Sequence, residues 1–212
     1  MASSEFPQLK CELGVLSKSD GSAALAEGES VMLASVCGPI EVKLQKLLTD
    51  KTSVECCYRS KAAEGIQDRF RETILKNICE TALMASLHPR SSILVNLQEM
   101  QNGGQLLSCA VNAACLACLN AGVDMKFTFA AVSCFLNKFE EFSFVPPINE
   151  NEVKALFVLV FNSTTGSIIA SHTEGSFTTE QFQHGLKLCR EQSQFVFKFF
   201  KESVINFDKD IE

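Results

Sequence analysis

The sequence lacks an excess of basic residues. Its 19 lysines and arginines are outnumbered by 25 aspartates and glutamates, which gives a formal net charge of -6 at pH 7. A protein that grips nucleic acid unaided usually carries a basic surface. The composition therefore argues against such a protein, and any contact with RNA or DNA must come from a local basic patch or be shared with partners.

Long apolar segments are also missing. The longest clean apolar run is 155-ALFVLVF-161, whereas a bilayer-spanning helix needs about 20 such residues. The first residues, MASSEFPQLKC, do not follow the basic-then-apolar order of a signal peptide. We therefore expect no association with membranes and a location in the cytosol or the nucleus.

No linker rich in proline, glycine or serine, low-complexity run or internal repeat interrupts the 212 residues. With 46% of the residues apolar, the chain can bury a large core. We predict a single domain over residues 1–212, with a structured core at about 10–205 and short polar termini.

Common catalytic and metal-binding motifs are absent as well. The GxSxG element of serine hydrolases does not occur, and His88, His172 and His184 have no Cys or Asp beside them at ligand spacing. We interpret these histidines as structural or surface residues, and we expect neither a metal nor a cofactor.

Cysteine, in contrast, is plentiful, with ten residues. Cys115 and Cys118 form a CxxC, the spacing of a zinc knuckle or a redox pair. Because they lie within an apolar helical pattern and no second CxxC or CxxH follows, we predict that they pack as small apolar side chains. Metal or redox chemistry is the alternative.

The periodic segments predict an α/β domain. Helical spacing predicts an amphipathic helix over 70–87, ended by His88-Pro89, and an almost uncharged, buried helix over 105–121. A capping box of Thr178 and Gln181 predicts the start of a last helix over 178–207. Turns are expected at Asp20-Gly21 and Glu27-Gly28, with an end or a bend at Gly38-Pro39. The predicted strands are 9–17, 21–28, 29–38, 52–59, 91–100, 126–137, 155–162 and 166–174.

The turn 102-NGG-104 before the uncharged helix raises the question of an anion site. Backbone N–H groups at a helix N-terminus bind phosphate readily. However, the following residues are Gln105, Leu106 and Leu107, which carry no positive charge. The alternatives are a working anion site, a relic of one, and a strand-to-helix turn that only needs glycine.

The order of several motifs is more specific than any one of them. DGSA occurs at Asp20, a helix ends in LHPR at Leu87, and the small-residue helix contains CAVNAACLA. A strand reading FAAVSCFL and a segment reading SHTEGSFTTEQF follow. This order resembles the RNase PH family over about residues 10–205, and within it the catalytically degenerate subunits of the eukaryotic RNA exosome ring.

The resemblance implies a βαβα domain, with a mixed sheet and helices packed on its faces, that assembles into six-membered rings. The implied partners are other RNase PH-like exosome subunits, RNA-binding cap subunits and RNA in weak, shared contact. The implied location is the nucleus, including the nucleolus, and the cytoplasm. A homodimer of the isolated chain is left open. The four phenylalanines between residues 195 and 200 fit either a subunit interface or a thick core.

The resemblance also implies a chemistry that this chain has lost. Active family members cut RNA from its 3′ end with phosphate as the attacking group, and they follow the Gly-Gly pair with Thr-Arg-Thr. The matching positions are Gln105, Leu106 and Leu107. Gly103, Gly104, Gln105 and Leu106 would therefore form a degenerate phosphate site, without the guanidinium that pairs with the anion.

Active members carry two aspartates about six residues apart. The resemblance places the first near Pro146 and the second near Glu152, with Glu150 close by. Proline has no side chain for proton transfer, and the glutamates are interpreted as residual acidic residues, with a solvated surface as the alternative. We predict no catalytic residue.

Polar and mostly basic residues of the loop and helix start that begin at Arg59 are the candidates for nucleic-acid contact, together with a lysine where family members place RNA-binding arginines. Glu64 and Asp68 lie among them, so an ordinary mixed-charge surface is the alternative. Lys43, Lys46 and Arg90 are nearby in sequence. The candidates are Arg59, Lys61, Gln67, Arg69, Arg71 and Lys76.

These observations predict a non-catalytic RNase PH-like ring subunit of the RNA exosome. It would take part in 3′-5′ RNA processing and degradation, including that of ribosomal RNA, by scaffolding and by contacts along the RNA path. The alternatives are a phosphate-dependent 3′-5′ exoribonuclease and a metal-dependent nuclease that acts on RNA or DNA as a homodimer outside the ring.

Overall fold

A computed structural model describes residues 6–42, 47–61, 65–147 and 153–211. Within these stretches the chain alternates short groups of strands with three helices. In chain order the elements are β1 (Leu9–Leu13), β2 (Gly21–Glu27), β3 (Ser30–Glu41), β4 (Ser53–Arg59), α1 (Ile66–Ala82), β5 (Ser91–Gln101), α2 (Leu106–Asn120), β6 (Phe129–Asn137), β7 (Phe142–Ser143), β8 (Val153–Asn162), β9 (Ile168–Gly175) and α3 (Thr179–Ile211).

The strands form two sheets. The first has the order β1-β2-β3-β5-β4 and is mixed, because β4 runs parallel to β5 while the other pairs are antiparallel. The second has the order β7-β6-β8-β9 and is antiparallel. The predicted fold class, a mixed sheet with helices packed on its faces, is confirmed. The assignment of residues 1–212 to a single domain stays a prediction.

Helix α2 holds the two sheets together. It packs against β2 and β3 of the first sheet and against β6 of the second. Twelve of its residues are buried, as expected for a helix without charged side chains. Asn112 fixes its position, since its amide group donates to the Ala131 carbonyl at 3.0 Å and accepts from the Ala131 N–H at 2.8 Å. The Gly-Gly turn at the start of α2 is thereby anchored to the core.

Helix α1 is displaced toward the N-terminus from the predicted range. It spans Ile66–Ala82 instead of 70–87, and Asp68 caps its start by accepting from the Gly65 N–H at 3.1 Å. The helix ends because Leu83 is extended, fully buried and bridged to Met125. Tertiary pairing therefore ends α1 at Ala82, seven residues before Pro89, and the predicted role of proline as the stop is wrong.

The first predicted strand is shorter than expected. Strand β1 ends at Leu13 and not at residue 17. Residues 14–20 connect it to β2, with Gly14 at a φ of +69°, so Asp20 belongs to this connection. Gly21 already belongs to β2. The turn at Glu27-Gly28 is confirmed, and β3 bends at Gly38-Pro39, with a register shift between Cys37 and Ile40.

The C-terminal half follows the sequence prediction closely. Strands β8 and β9 form the predicted hairpin, and the Thr178–Gln181 capping box is present in both directions, at 3.0 and 3.3 Å. Along α3, Phe200 is buried and Phe195 is 62% exposed. The helix therefore fills the core with one face and leaves another uncovered. No helix among the described residues is long and apolar enough to cross a membrane.

Candidate degenerate phosphate site and adjoining cleft

The Gly-Gly turn between β5 and α2 needs both glycines for steric reasons. A Cβ atom on Gly103 would lie 2.6 Å from backbone atoms of Glu29 and Ser30, in the turn between β2 and β3. Gly104 has a φ of +91°, which side chains rarely tolerate. The local structure therefore explains the glycine pair without any ligand.

The N–H groups of this turn already have partners within the chain. The Ser30 hydroxyl accepts from the N–H of Gly103 at 3.1 Å and from that of Gln105 at 3.3 Å. The Gly104 N–H donates to the Asn102 side-chain oxygen at 2.9 Å. An incoming phosphate would have to displace these oxygens, so the turn is not an open cradle of donors.

The two positions after the glycines point into the protein. Gln105 is 3% exposed, and its side-chain amide donates to the Phe144 carbonyl. Leu106 is 7% exposed and belongs to the hydrophobic core. Neither side chain presents a positive charge to a bound anion, which agrees with the expected loss of the guanidinium at position 106.

The position expected for the first family aspartate lies beside the same turn. A Cβ atom on Gly104 would be 3.1 Å from the Pro146 side chain, so the structure brings this proline to the Gly-Gly turn. The second position, Glu152, and its neighbour Glu150 lie outside the described residues. At the one of these two positions that the structure describes, this chain thus has the apolar side chain of Pro146 where active family members carry an aspartate.

A cleft of about 270 Å³ opens next to the turn. Gln67, Phe70 and Arg71 of α1 line one side, and His172 and Glu174 of β9 line another. Apolar side chains of α2 and β8 supply much of the rest, namely Leu106, Leu107, Leu156 and Val158. The structure therefore brings two of the nucleic-acid candidates, Gln67 and Arg71, to the degenerate phosphate site.

The guanidinium of Arg71 is already engaged. It donates to Asp68 at 3.1 Å and lies over the Tyr58 ring, 5.3 Å from the ring centroid. Desolvation raises the pKa of Asp68, but hydrogen bonds from the Gly65 N–H and the Ser60 hydroxyl, with the Arg71 charge, outweigh it and hold this pKa below its usual value. Asp68 is therefore a carboxylate that neutralises Arg71.

The other basic candidates lie outside this cleft. Arg59, Lys61 and Arg69 are exposed and form no ion pair within the described residues. Arg59 lines a separate cavity on the first sheet. Lys76 pairs with Glu80 at 3.8 Å and does not line the cleft. The segment with Lys43 and Lys46 lies outside the described residues, as does Glu64.

The CxxC cysteines are core residues. Cys115 and Cys118 are fully buried on α2, and the pKa of Cys115 is raised to about 12 by desolvation. Desolvation raises the pKa of Cys118 as well. The predicted packing role is confirmed. No group of three or more His, Cys, Asp or Glu side chains in the described stretches is arranged to hold a metal ion.

Several residues of the site were missed at the sequence level. Ser30 and Asn102 satisfy the turn, and Phe70 and His172 form the mouth of the cleft. Asn102 directly precedes the glycines, so an Asx turn was the available signal. Ser30 and His172 come from distant strands, and nothing in their local sequence links them to the turn.

Comparison with known proteins identifies the family. The profile of the 3′ exoribonuclease family, domain 1 (RNase PH), matches residues 5–124. The chain is 30% identical over 182 residues to a protein named exosome complex exonuclease RRP46 homolog from Arabidopsis thaliana, covering 84% of this chain and 75% of that one. It is 28% identical to exosome complex component rrp46 of Schizosaccharomyces pombe, covering 90% of each chain. The chain belongs to the RNase PH family.

Solved structures agree with this assignment. The crystal structure of rice Rrp46 matches with a TM-score of 0.89 and 26% identity, over 95% of this chain and 96% of that one. An archaeal exosome core subunit matches with a TM-score of 0.78 at 15% identity, over 93% of this chain and 88% of that one, which supports the fold alone. Within the family, the expected resemblance to exosome subunits is confirmed, and the relatives named here are of the ribosomal-RNA-processing protein 46 type.

Proposed function

We propose that this chain is a ring subunit of an RNA exosome that supports 3′-5′ RNA processing and degradation, including that of ribosomal RNA, without performing phosphorolysis itself. Its similarity to proteins named as exosome components supports the ring assignment. The partners would be other RNase PH-like subunits, RNA-binding cap subunits and RNA, in the nucleus, the nucleolus and the cytoplasm.

One observation carries the non-catalytic part of the proposal: the N–H groups of Gly103, Gly104 and Gln105 already have hydrogen-bond partners within the chain. Phosphorolysis needs donors that hold a phosphate dianion beside the RNA ester. Here the turn amides donate to Ser30 and Asn102, and the cleft beside them is lined by Leu106. The guanidinium that lines this cleft, that of Arg71, is paired with Asp68.

A second function has one observation in its favour, since the Arabidopsis relative is named an exonuclease. Under this alternative the chain would be a phosphate-dependent exoribonuclease or a metal-dependent nuclease acting on RNA or DNA as a homodimer. The two kinds of nuclease differ in their co-reactant: inorganic phosphate yields nucleoside diphosphates, whereas metal-dependent hydrolysis yields monophosphates.

The test uses the full purified chain and a labelled single-stranded RNA. One set of reactions contains inorganic phosphate with Mg²⁺, and another contains Mg²⁺ or Mn²⁺ without phosphate, on RNA and on DNA. A phosphorolytic member of the family serves as the positive control. We expect no product in either set. Nucleoside diphosphates formed in proportion to the chain would refute the proposal, and so would metal-dependent cleavage that co-purifies with it.

The scaffolding part has a separate measurement. Size-exclusion chromatography with light scattering is run on the chain alone and with RNase PH-like exosome subunits from the same source. We expect a stable hetero-oligomer. If the chain forms only a homodimer and excludes those subunits, the ring assignment is wrong even when the chain is inactive.

A further inference from the structure

We propose that the cleft beside the Gly-Gly turn binds an unpaired nucleobase, with the Phe70 ring as its stacking surface. This inference rests on the proposed contact with RNA and deepens it, because it names the group of the RNA that enters the cleft. The ligand would be a base and not the phosphate that active family members bind. This change of ligand follows from the side chains that line the cleft.

The Phe70 ring is placed for stacking. It lies at the mouth of the cleft, in the second turn of α1, and is 50% exposed although it is a large apolar side chain. Its exposure leaves ring surface available to a flat partner. Single-stranded nucleic acids are commonly held by bases stacked on aromatic side chains in this way.

His172 of β9 contacts the Phe70 ring at the cleft. The ring centroids are 5.2 Å apart with an interplanar angle of 60°, a tilted geometry that aromatic pairs favour. A 2.9 Å contact between the His172 Nε2 and Glu174 fixes the imidazole in turn. The stacking surface is therefore held in place before a ligand arrives, which reduces the entropy lost on binding.

The interior of the cleft suits a base better than a phosphate. Leu107 of α2 and Leu156 and Val158 of β8 contribute apolar surface, and desolvating a phosphate against such surface is costly. The cleft also offers polar groups for the edge of a base, on Gln67 and Ser133. Arg71 is held by Asp68 and does not supply an unpaired charge.

Charges outside the cleft are placed to hold the RNA backbone. Arg69 precedes Phe70 in α1 and is exposed. The Ser60 hydroxyl donates to Asp68, in the first turn of α1, at 2.8 Å. Lys61 follows Ser60 directly, so its backbone lies near the same N-terminal end of α1. A base in the cleft with its phosphates near these cations reproduces the combination of aromatic and basic side chains that sequence-independent single-strand binding uses.

The test separates base contacts from phosphate contacts. The full chain is titrated with a fluorescent oligoadenylate of ten nucleotides, and with a backbone of the same length and charge in which every nucleotide is abasic. We expect Phe70→Ala to weaken binding of the oligoadenylate about 5- to 150-fold, as stacking on one aromatic ring predicts. Binding of the abasic backbone should not change.

Two further variants serve as controls. Phe70→Trp keeps an aromatic surface and should preserve oligoadenylate binding. Phe139→Ala removes a phenylalanine that is 84% exposed in the β6–β7 turn and lines no part of the cleft, so it should have no effect. Circular dichroism and thermal unfolding verify that each variant is folded.

The remaining outcomes each count against the inference in a recognisable way. Equal weakening of both ligands by Phe70→Ala would make Phe70 a structural support, and an unchanged affinity for both would show that no base reaches it. A loss confined to binding of partner subunits would make the cleft a protein contact. If the wild-type chain binds neither ligand, alone or with its ring partners, the proposed RNA contact itself fails.

Discussion

At the scale of single residues, Glu27 is a carboxyl group buried in the core. Its side chain is buried at the end of β2, and Ser108 and Asn112 of α2 donate to it at 3.2 and 3.4 Å. Desolvation raises its pKa to about 8, even though those two hydrogen bonds lower it. At neutral pH the folded protein therefore holds this carboxyl mainly in its protonated form.

This raised pKa predicts how stability depends on pH. The unfolded chain releases the Glu27 proton near the ordinary glutamate pKa of 4.5, whereas the folded chain keeps it up to about pH 8. Between these values the folded state binds more protons, so this residue's contribution falls as the pH rises, by an amount on the order of 5 kcal/mol. Glu27→Gln should remove that fall and raise stability at pH 8.

Urea unfolding at several pH values between 4.5 and 8.5 measures this effect. The comparison is the difference in free energy of unfolding between Glu27→Gln and the wild type, which should grow with pH. Glu29→Gln, at an exposed position two residues along, is the matched control and should leave the profile unchanged. Parallel pH profiles of wild type and Glu27→Gln would contradict the prediction.

Gly103 supports a second prediction, because the backbone of another turn packs directly against it. A Cβ atom there would meet the backbone of Glu29 and Ser30 at 2.6 Å, and backbone cannot move aside cheaply. We expect Gly103→Ala to cost several kcal/mol, roughly the 1–3 kcal/mol of overpacking plus loss of the Ser30 hydrogen bonds. Chemical denaturation gives the value.

Gly65→Ala is the control for that change. No atom lies within 4 Å of a Cβ at Gly65, and its φ of -123° is open to alanine. Its cost should stay within a few tenths to 1 kcal/mol, because only the preference for glycine at a helix N-cap is lost. Similar costs at both positions would contradict the prediction, because they would mean that the turn between β2 and β3 can shift to make room for a Cβ atom at position 103.

At the scale of elements, the joint between α2 and β6 depends on Asn112. Its side chain satisfies both the N–H and the carbonyl of Ala131 inside the core. Asn112→Ala would leave these groups without partners, at about 1–3 kcal/mol for each. We therefore expect a loss of roughly 2–5 kcal/mol in the free energy of unfolding.

Asn120→Ala provides the comparison at the other end of α2. Asn120 accepts one hydrogen bond, from the Ser22 N–H at 2.9 Å, at a partly buried position. Its removal should cost about 1 kcal/mol. Denaturant titrations of both variants test the ranking, and a loss for Asn112→Ala no larger than that for Asn120→Ala would contradict it.

The elements also show where sequence reasoning succeeds. The charge-free α2 and the capping box of α3 were predicted correctly, because their signals are local: side-chain polarity in one case and Thr178 with Gln181 in the other. The C-terminal end of α1 was predicted wrongly, because Leu83 pairs with Met125, which is far along the chain. A long-range contact overrides the local proline signal there.

The candidate site divides in the same way. The missing charge at Leu106 could be identified from one position in the sequence, given the family pattern. The hydrogen-bond partners of the N–H groups in the Gly-Gly turn could not be identified in this way, since Ser30 lies 73 residues before Gly103. The cleft combines α1, α2, β6, β8 and β9, and an assembly of five separated elements leaves no signature in any one segment.

At the scale of the whole molecule, the net charge of -6 opposes association with RNA. Under the proposed RNA contact, we expect favourable electrostatic contact to come from the exposed candidates Arg59, Lys61 and Arg69, with Arg71 contributing less because Asp68 neutralises it. Each phosphate neutralised on a single strand contributes about -0.7 to the slope of log affinity against log salt. Three or four contacts predict a slope between about -2 and -3.

This slope distinguishes a local basic patch from diffuse attraction. Arg69→Gln should make it shallower by about 0.7, since one phosphate contact is lost. Lys198→Gln removes an equally charged side chain on α3, 76% exposed, and should leave the slope unchanged because α3 lines no part of the cleft. Anisotropy titrations of a single-stranded RNA at several salt concentrations provide the slopes. If the two variants change the slope equally, RNA responds to the total charge of the molecule, and the patch beside the cleft is not its docking site.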